Sequence, residues 1–216
     1  MSGNTITILR PFPGKQARKV ILADGTIRGA DNAAKFRHET KTFDSIEQLH
    51  EIVSGLLYQN AFIVRGTPAG DHQPIHRQIA GIRNRGNDGF LDEPKRWLPI
   101  DIDGLKLPAL ADWREDPHAA VDYAIGRLPE CFWDASCSWS FTGTHGLEKA
   151  ERKWTGGYIG DTIRLRLLFD ISRPIGSDEA RAWLRSMGDL APVDDAVAGE
   201  VQPIYVARTV SHDDSD

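Results

Sequence analysis

Asp101 and Asp103 stand two residues apart in the segment Trp-Leu-Pro-Ile-Asp-Ile-Asp at 97–103. Such a segment reads as a strand, whose side chains alternate between faces. Both carboxylates then point one way, and Ile100 and Ile102 point the other way into a core. Carboxylates set side by side repel, and a divalent cation offsets this best. Magnesium takes oxygen ligands and keeps waters and substrate phosphates among them; the cofactor expected here is Mg2+ or Mn2+. Gly104 is expected to end the strand and leave room for a ligand near the backbone. The plain alternative is a solvated acidic edge.

Residues 162–170 (Thr-Ile-Arg-Leu-Arg-Leu-Leu-Phe-Asp) are the clearest strand in the chain. Ile163, Leu165, Leu167 and Phe169 share one face; Arg164, Arg166, Leu168 and Asp170 share the other. If this strand neighbours the first, three carboxylates meet beside two arginines. The arginines would fork onto phosphate oxygens, and whichever of Arg164 and Arg166 lies nearer Asp170 is expected to matter more for a triphosphate. The competing reading is mutual neutralisation of arginines and aspartates. Small hydroxylated residues and glycines in Ser-Phe-Thr-Gly-Thr-His-Gly at 140–146 can offer amides and hydroxyls to an anion. Thr142, Thr144 and His145 are its candidate contacts, in a setting that looks too polar for a core histidine.

The elements that must position these groups follow from periodicity and turn chemistry. Residues 5–9 alternate like a short strand, and 19–22 with 26–28 flank Asp24-Gly25 as a hairpin, set off by Pro11, Pro13 and Gly14. Ser45 and Gln48 have capping-box spacing, and an apolar stripe predicts a helix over 46–58. A strand is expected at 61–65. Residues 67–94 show little periodicity and read as a working loop or a short helix near 74–80. Asp116-Pro117 predicts a helix start, running to about 127. Ser177 is expected to cap a helix with its apolar stripe at Ala180, Trp183, Leu184 and Met187, and 201–207 reads as a last strand. The order gives an α+β fold with a mixed or antiparallel sheet and helices on one side. One domain spans 1–216: an N-terminal hairpin region at 1–42, a core at 43–208 and an acidic, flexible tail at 209–216.

The net charge of −5 argues against a protein that coats DNA, but leaves room for a local groove. Arg83, Arg85 and Arg96 supply such a groove in the 77–96 stretch. Trp139 and Trp154 are candidate platforms for base stacking. No apolar run reaches the roughly 18 residues of a membrane span, and the N-terminus lacks a signal-like apolar stretch, so a cytoplasmic location is expected. Cys131 and Cys137 fit two core thiols in a reducing compartment better than a zinc site completed by His145.

Taken in order, these segments resemble the archaeo-eukaryotic primase superfamily, including primase-polymerases of plasmids, phages and other mobile elements. The hydrophobic strand ending in Asp101-Ile102-Asp103 resembles its first motif, Gly143-Thr144-His145 its second, and the strand closing on Asp170 its third. Gln202-Pro203-Ile204-Tyr205 is similar to a segment found after the third motif. The likeness spans about 43–208, without the zinc cluster many members carry. It implies an RRM-like catalytic sheet and a DNA primase or DNA-directed polymerase. It implies metal binding by Asp101, Asp103 and Asp170, and contact of His145, Arg164 and Arg166 with the incoming nucleotide. The implied partners are a single-stranded DNA template with primer, NTP or dNTP, and a helicase module. The chemistry would be two-metal nucleotidyl transfer to a 3′-hydroxyl. A metal-dependent nuclease or phosphodiesterase, and a non-catalytic origin-binding module, are the rival readings.

Overall fold

The computed structural model describes residues 4–29, 35–81, 88–109, 111–150, 153–188 and 190–211. In chain order the strands and helices are β1 (Asn4–Pro11), β2 (Val20–Ile21), β3 (Ile27–Arg28), β4 (Lys35–Phe43), α1 (Ile46–Ser54), β5 (Phe62–Val64), β6 (Thr67–Pro68), β7 (Ile75–His76), β8 (Phe90–Leu91), β9 (Lys95–Lys106), α2 (Pro117–Ile125), β10 (Cys137–Phe141), β11 (Leu147–Ala150), β12 (Lys153–Tyr158), β13 (Thr162–Ile175), α3 (Ser177–Ser186), β14 (Val193–Asp194) and β15 (Val210–Ser211). This is a mixed α+β fold with antiparallel sheets and flanking helices. Among the described residues β15 pairs parallel with β2, and Ile79 forms an isolated parallel bridge with Phe90. No described helix is long and apolar enough to cross a membrane.

Two four-stranded sheets carry the architecture, ordered β5-β1-β4-β7 and β10-β13-β9-β14. The second positions the candidate site. Its two long strands, β9 and β13, pair antiparallel over most of their length. Ile100, Ile102, Leu165, Leu167 and Phe169 are buried on its apolar face. Phe132 closes on that face, edge-on to Phe169 and stacked on Trp183 of α3. Behind the first sheet a smaller cluster gathers Leu9, Phe36, Phe62, Val64, Ile75 and Phe90.

Local chemistry explains most element ends. Ser45 accepts from the Gln48 N–H, while the Gln48 side chain reaches back to the Asp44 N–H. Asp116 accepts from the Ala119 N–H with Pro117 in the first turn. Six expectations need correction. β4 was not foreseen, because only Phe36 and Phe43 of its nine residues are buried and its polar run hides the alternation. The 67–94 segment forms short strands, with no helix near 74–80 among the described residues. α1 and α2 end earlier than expected, at Ser54 and Ile125. Residues 201–207 make a single bridge, Ile204 to Ile63, and no strand. Gly176, rather than Ser177, occupies the cap of α3, and Asp92 accepts from both the Ser177 N–H and its hydroxyl.

The sixth correction matters most for the site. β9 runs on through Gly104 to Lys106. Asp103 faces Arg164 and Leu105 faces Ile163, so Gly104 is the extra residue of a bulge, at φ +93°. The bulge reverses the facing of the chain. Asp103 lies exposed on the polar face, while Leu105, two residues on, is buried with the core.

Candidate functional site

The register of β9 against β13 builds two rows of charge on the polar face. Arg166 lies opposite Asp101, and Arg164 opposite Asp103. Arg166 grips Asp101 with two parallel bonds, Nε–Oδ1 at 2.7 Å and Nη2–Oδ2 at 2.5 Å, and its Nη1 donates to the Tyr205 carbonyl. Its side chain is 6% exposed and that of Asp101 17%. This is a desolvated fork in which each of the three guanidinium nitrogens donates a bond. Arg164 Nε lies 2.8 Å from Asp103 Oδ1, out of line for a hydrogen bond, and Asp103 is 61% exposed. Arg164 Nη1 donates to the carbonyls of Thr144 and Leu147. Arg164 is thus the arginine that ties the sheet to the 142–147 turn.

His145 enters the site from that turn. The Arg164 N–H donates to His145 Nδ1 at 3.0 Å, which leaves the hydrogen of the neutral ring on Nε2. Nε2 is buried without a partner. The ring stacks on Phe141 at 3.9 Å between centroids and meets Trp113 edge-on at 4.0 Å. The expected polar setting is therefore wrong: His145 sits between two aromatics. That burial first, and the Arg164 charge second, pull its pKa down to about 4. Thr144 is buried and Thr142 half-buried, and both serve the turn through backbone bonds. Thr209 donates its hydroxyl to the Gly143 carbonyl, pinning the turn to the segment after Tyr205.

Asp170 does not join Asp101 and Asp103. It faces Trp97, four positions along from the row of Arg166 and Asp101, which is roughly 13 Å of strand. Its neighbours are Asn4 Nδ2 at 3.3 Å and Arg96 Nη2 at 3.6 Å. The expected meeting of three carboxylates is corrected by the antiparallel register, which carries the end of one motif strand away from the end of the other. Asp194 of β14 instead faces Asp101 from the opposite side. Its side chain caps the turn at Ala196. Asp194, Thr209 and Trp113 were not foreseen, and Tyr205 was marked only by its segment at 202–205; each contributes through a contact between distant segments.

Other expected contacts are dispersed. Arg96 is exposed beside Asp170 and the Ile171 carbonyl. Arg83 and Arg85 lie outside the described residues, as does the side chain of Trp154. Trp139 is half-buried, edge-on to His118 and Phe141, and borders a concavity that also holds Glu47 and Glu51, a sign that repels a polyanion. Cys131 is exposed and Cys137 half-buried, so they are not two core thiols, and burial pushes the Cys137 thiol up.

Asp101 and Asp103 fit a hard cation that takes most of its ligands from water and phosphate. No group of three or more His, Cys, Asp or Glu able to hold a metal occurs among the described residues. Asp101 and Asp103 are two anionic side chains that each already face a guanidinium. No protein-family model, curated protein or solved structure matches the chain.

Proposed function

We propose that this chain is a nucleotidyltransferase of the primase-polymerase kind, extending a primer on a single-stranded template, with the sheet β10-β13-β9-β14 as its RRM-like catalytic sheet. One observation carries the reading: the Asp-x-Asp pair, the arginine strand and the histidine turn, separated by up to 65 residues, are joined by direct contacts, the aspartates to the Arg164 and Arg166 side chains and the His145 ring to the Arg164 backbone N–H. A divalent cation bound with the nucleotide at Asp101 and Asp103 would neutralise triphosphate charge and acidify the attacking hydroxyl. Arg164, anchored to the turn by its Nη1, holds phosphate oxygens. His145 donates from Nε2–H once Trp113 gives way. Arg166 keeps Asp101 in place. In this version Asp170 is a surface anchor for Asn4 and Arg96.

The test is primer extension on a single-stranded template with labelled ribo- or deoxynucleotides and magnesium or manganese. Growth of the primer, lost in Asp101→Asn, supports the reading. Shortening of the primer would support the nuclease instead. A second reading, a non-catalytic nucleic-acid-binding module, is favoured by the pairing of both aspartates with arginines. It predicts template binding with neither growth nor cleavage.

A further inference from the structure

Residues 10–41 hold eight of the 26 lysines and arginines against three carboxylates, in a chain whose net charge is −5. The register of the first sheet sets Arg10 directly opposite Arg37. Like charges facing across a strand pair destabilise it. Glu39 answers Arg10 at 2.8 Å. Arg37 has its guanidinium 5.3 Å from the centroid of Phe12, and neither Arg37 nor Lys15 enters an ion pair among the described residues. The turn through Gly14, at φ +79°, brings Lys15 back toward the strand ends. Together these residues line a concavity of about 430 Å³ with Gln59 and Asn60, and no carboxylate among the described residues lines it. Both amides are engaged in structure: Gln59 accepts from Arg10, and Asn60 accepts from the Ala17 N–H. What remains available is cationic charge and the exposed ring of Phe12.

We propose that this concavity docks single-stranded nucleic acid, with phosphodiester oxygens on Arg37 and Lys15 and an unpaired base on Phe12. The inference deepens the primase-polymerase reading and rests on it for the choice of nucleic acid over another polyanion. An aromatic ring beside cations that enter no ion pair among the described residues matches the stacking-plus-phosphate recognition of single strands, since a base within a duplex has no free face to stack. The concavity is built on β1, β4 and the turns after β1 and α1, apart from the rows of Asp101 and Asp103. It would hold template, while the rows serve the nucleotide.

The probe is a fluorescein-labelled oligothymidylate of about 20 nucleotides, a length exceeding one stacking site, read by anisotropy without metal or nucleotide. The doubly reversed Lys15→Glu/Arg37→Glu chain should bind at least about tenfold more weakly, and its slope of log affinity against log salt should flatten by about 1.4. Phe12→Ala should weaken binding about fivefold or more. Arg173→Glu, half the charge change of the double variant at an exposed pair with Glu179, should change affinity less than twofold, and circular dichroism should show all variants folded. Equal affinity of wild type and the double variant overturns the proposal. So does an equal loss in Arg173→Glu, a preference for duplex, or wild-type binding to phosphatidylserine vesicles without binding to the oligonucleotide. Asp101→Asn separates the two readings. If it binds the probe normally while wild type fails to extend primers, the docking site stands and the polymerase reading falls. If wild type extends primers while Lys15→Glu/Arg37→Glu binds as wild type, only the docking site falls.

Discussion

Asp101 and Asp103 differ in what surrounds them, and their substitutions should differ accordingly. From sequence, removing either carboxylate should relieve repulsion. In the structure Asp101→Ala strands the nearly buried Arg166 guanidinium, a loss on the order of 3 kcal/mol. Asp103→Ala breaks an exposed pair worth less than about 1 kcal/mol. Urea unfolding of both variants should show the larger fall for Asp101→Ala, and equal falls would refute the desolvated fork. Both variants should lose primer extension, whereas Asp170→Ala should retain it; an inactive Asp170→Ala would restore the third carboxylate to the site. For His145→Ala, the nucleotide concentration at half-maximal rate should rise if Nε2–H reaches the triphosphate. An unchanged value, with reduced stability, would assign the ring to packing between Phe141 and Trp113.

At the scale of elements, the bulge in β9 and the remote cap of α3 carry the clearest tests. Gly104 has φ +93° and open space where a Cβ would stand. Gly104→Ala therefore meets no clash at Cβ, only the backbone penalty of a left-handed residue, about 1–2 kcal/mol. Thermal melting should fall by several degrees, with primer extension falling more steeply if the bulge sets the direction of Asp103. Asp92→Ala removes the acceptor for the first N–H and the hydroxyl of α3, and should cost roughly 1 kcal/mol. No change in the melting midpoint would mean that water replaces the carboxylate without loss.

The whole molecule is joined by buried polar groups that link the two large sheets. The Trp97 indole N–H donates to the Thr5 carbonyl, and Lys95 donates to the hydroxyls of Thr5 and Thr67. Arg65 donates to the carbonyls of Ala198 and Ile175, and burial pulls its pKa down to about 10. Acid should loosen this assembly in two stages. His145 titrates near 4 folded against 6.5 as a free group, so the unfolded chain binds its proton first. Stability falls as pH drops from about 6.5 toward 4. Burial opposes ionisation of Asp88, but bonds from the His76 backbone and from the His76 and His72 rings outweigh it and bring its pKa to about 2. Its contribution is present above 3.8 and is lost as pH falls through 2. Urea midpoints across pH 7 to 4.5 should decline in the wild type and flatten in His145→Phe; parallel curves would exclude His145 as the cause of the upper stage.

What the sequence determined by itself is local. The alternation at 162–170 placed Arg164 and Arg166 on the face opposite Leu165 and Leu167, and the caps at Ser45 and Asp116 placed two helix starts. These follow from backbone periodicity and from orphan amides that nearby side chains can satisfy. Only tertiary structure decided which groups meet. Antiparallel register carried Asp170 to Trp97 and put Asp194 beside Asp101, although sequence spacing had pointed to a carboxylate triad. A bulge at one glycine turned Leu105 inward where alternation would have turned it out. Phe141 and Trp113 made an apolar sandwich of a turn rich in threonine and glycine. Register, bulging and packing depend on residues far apart in the chain, so no window of sequence contains them.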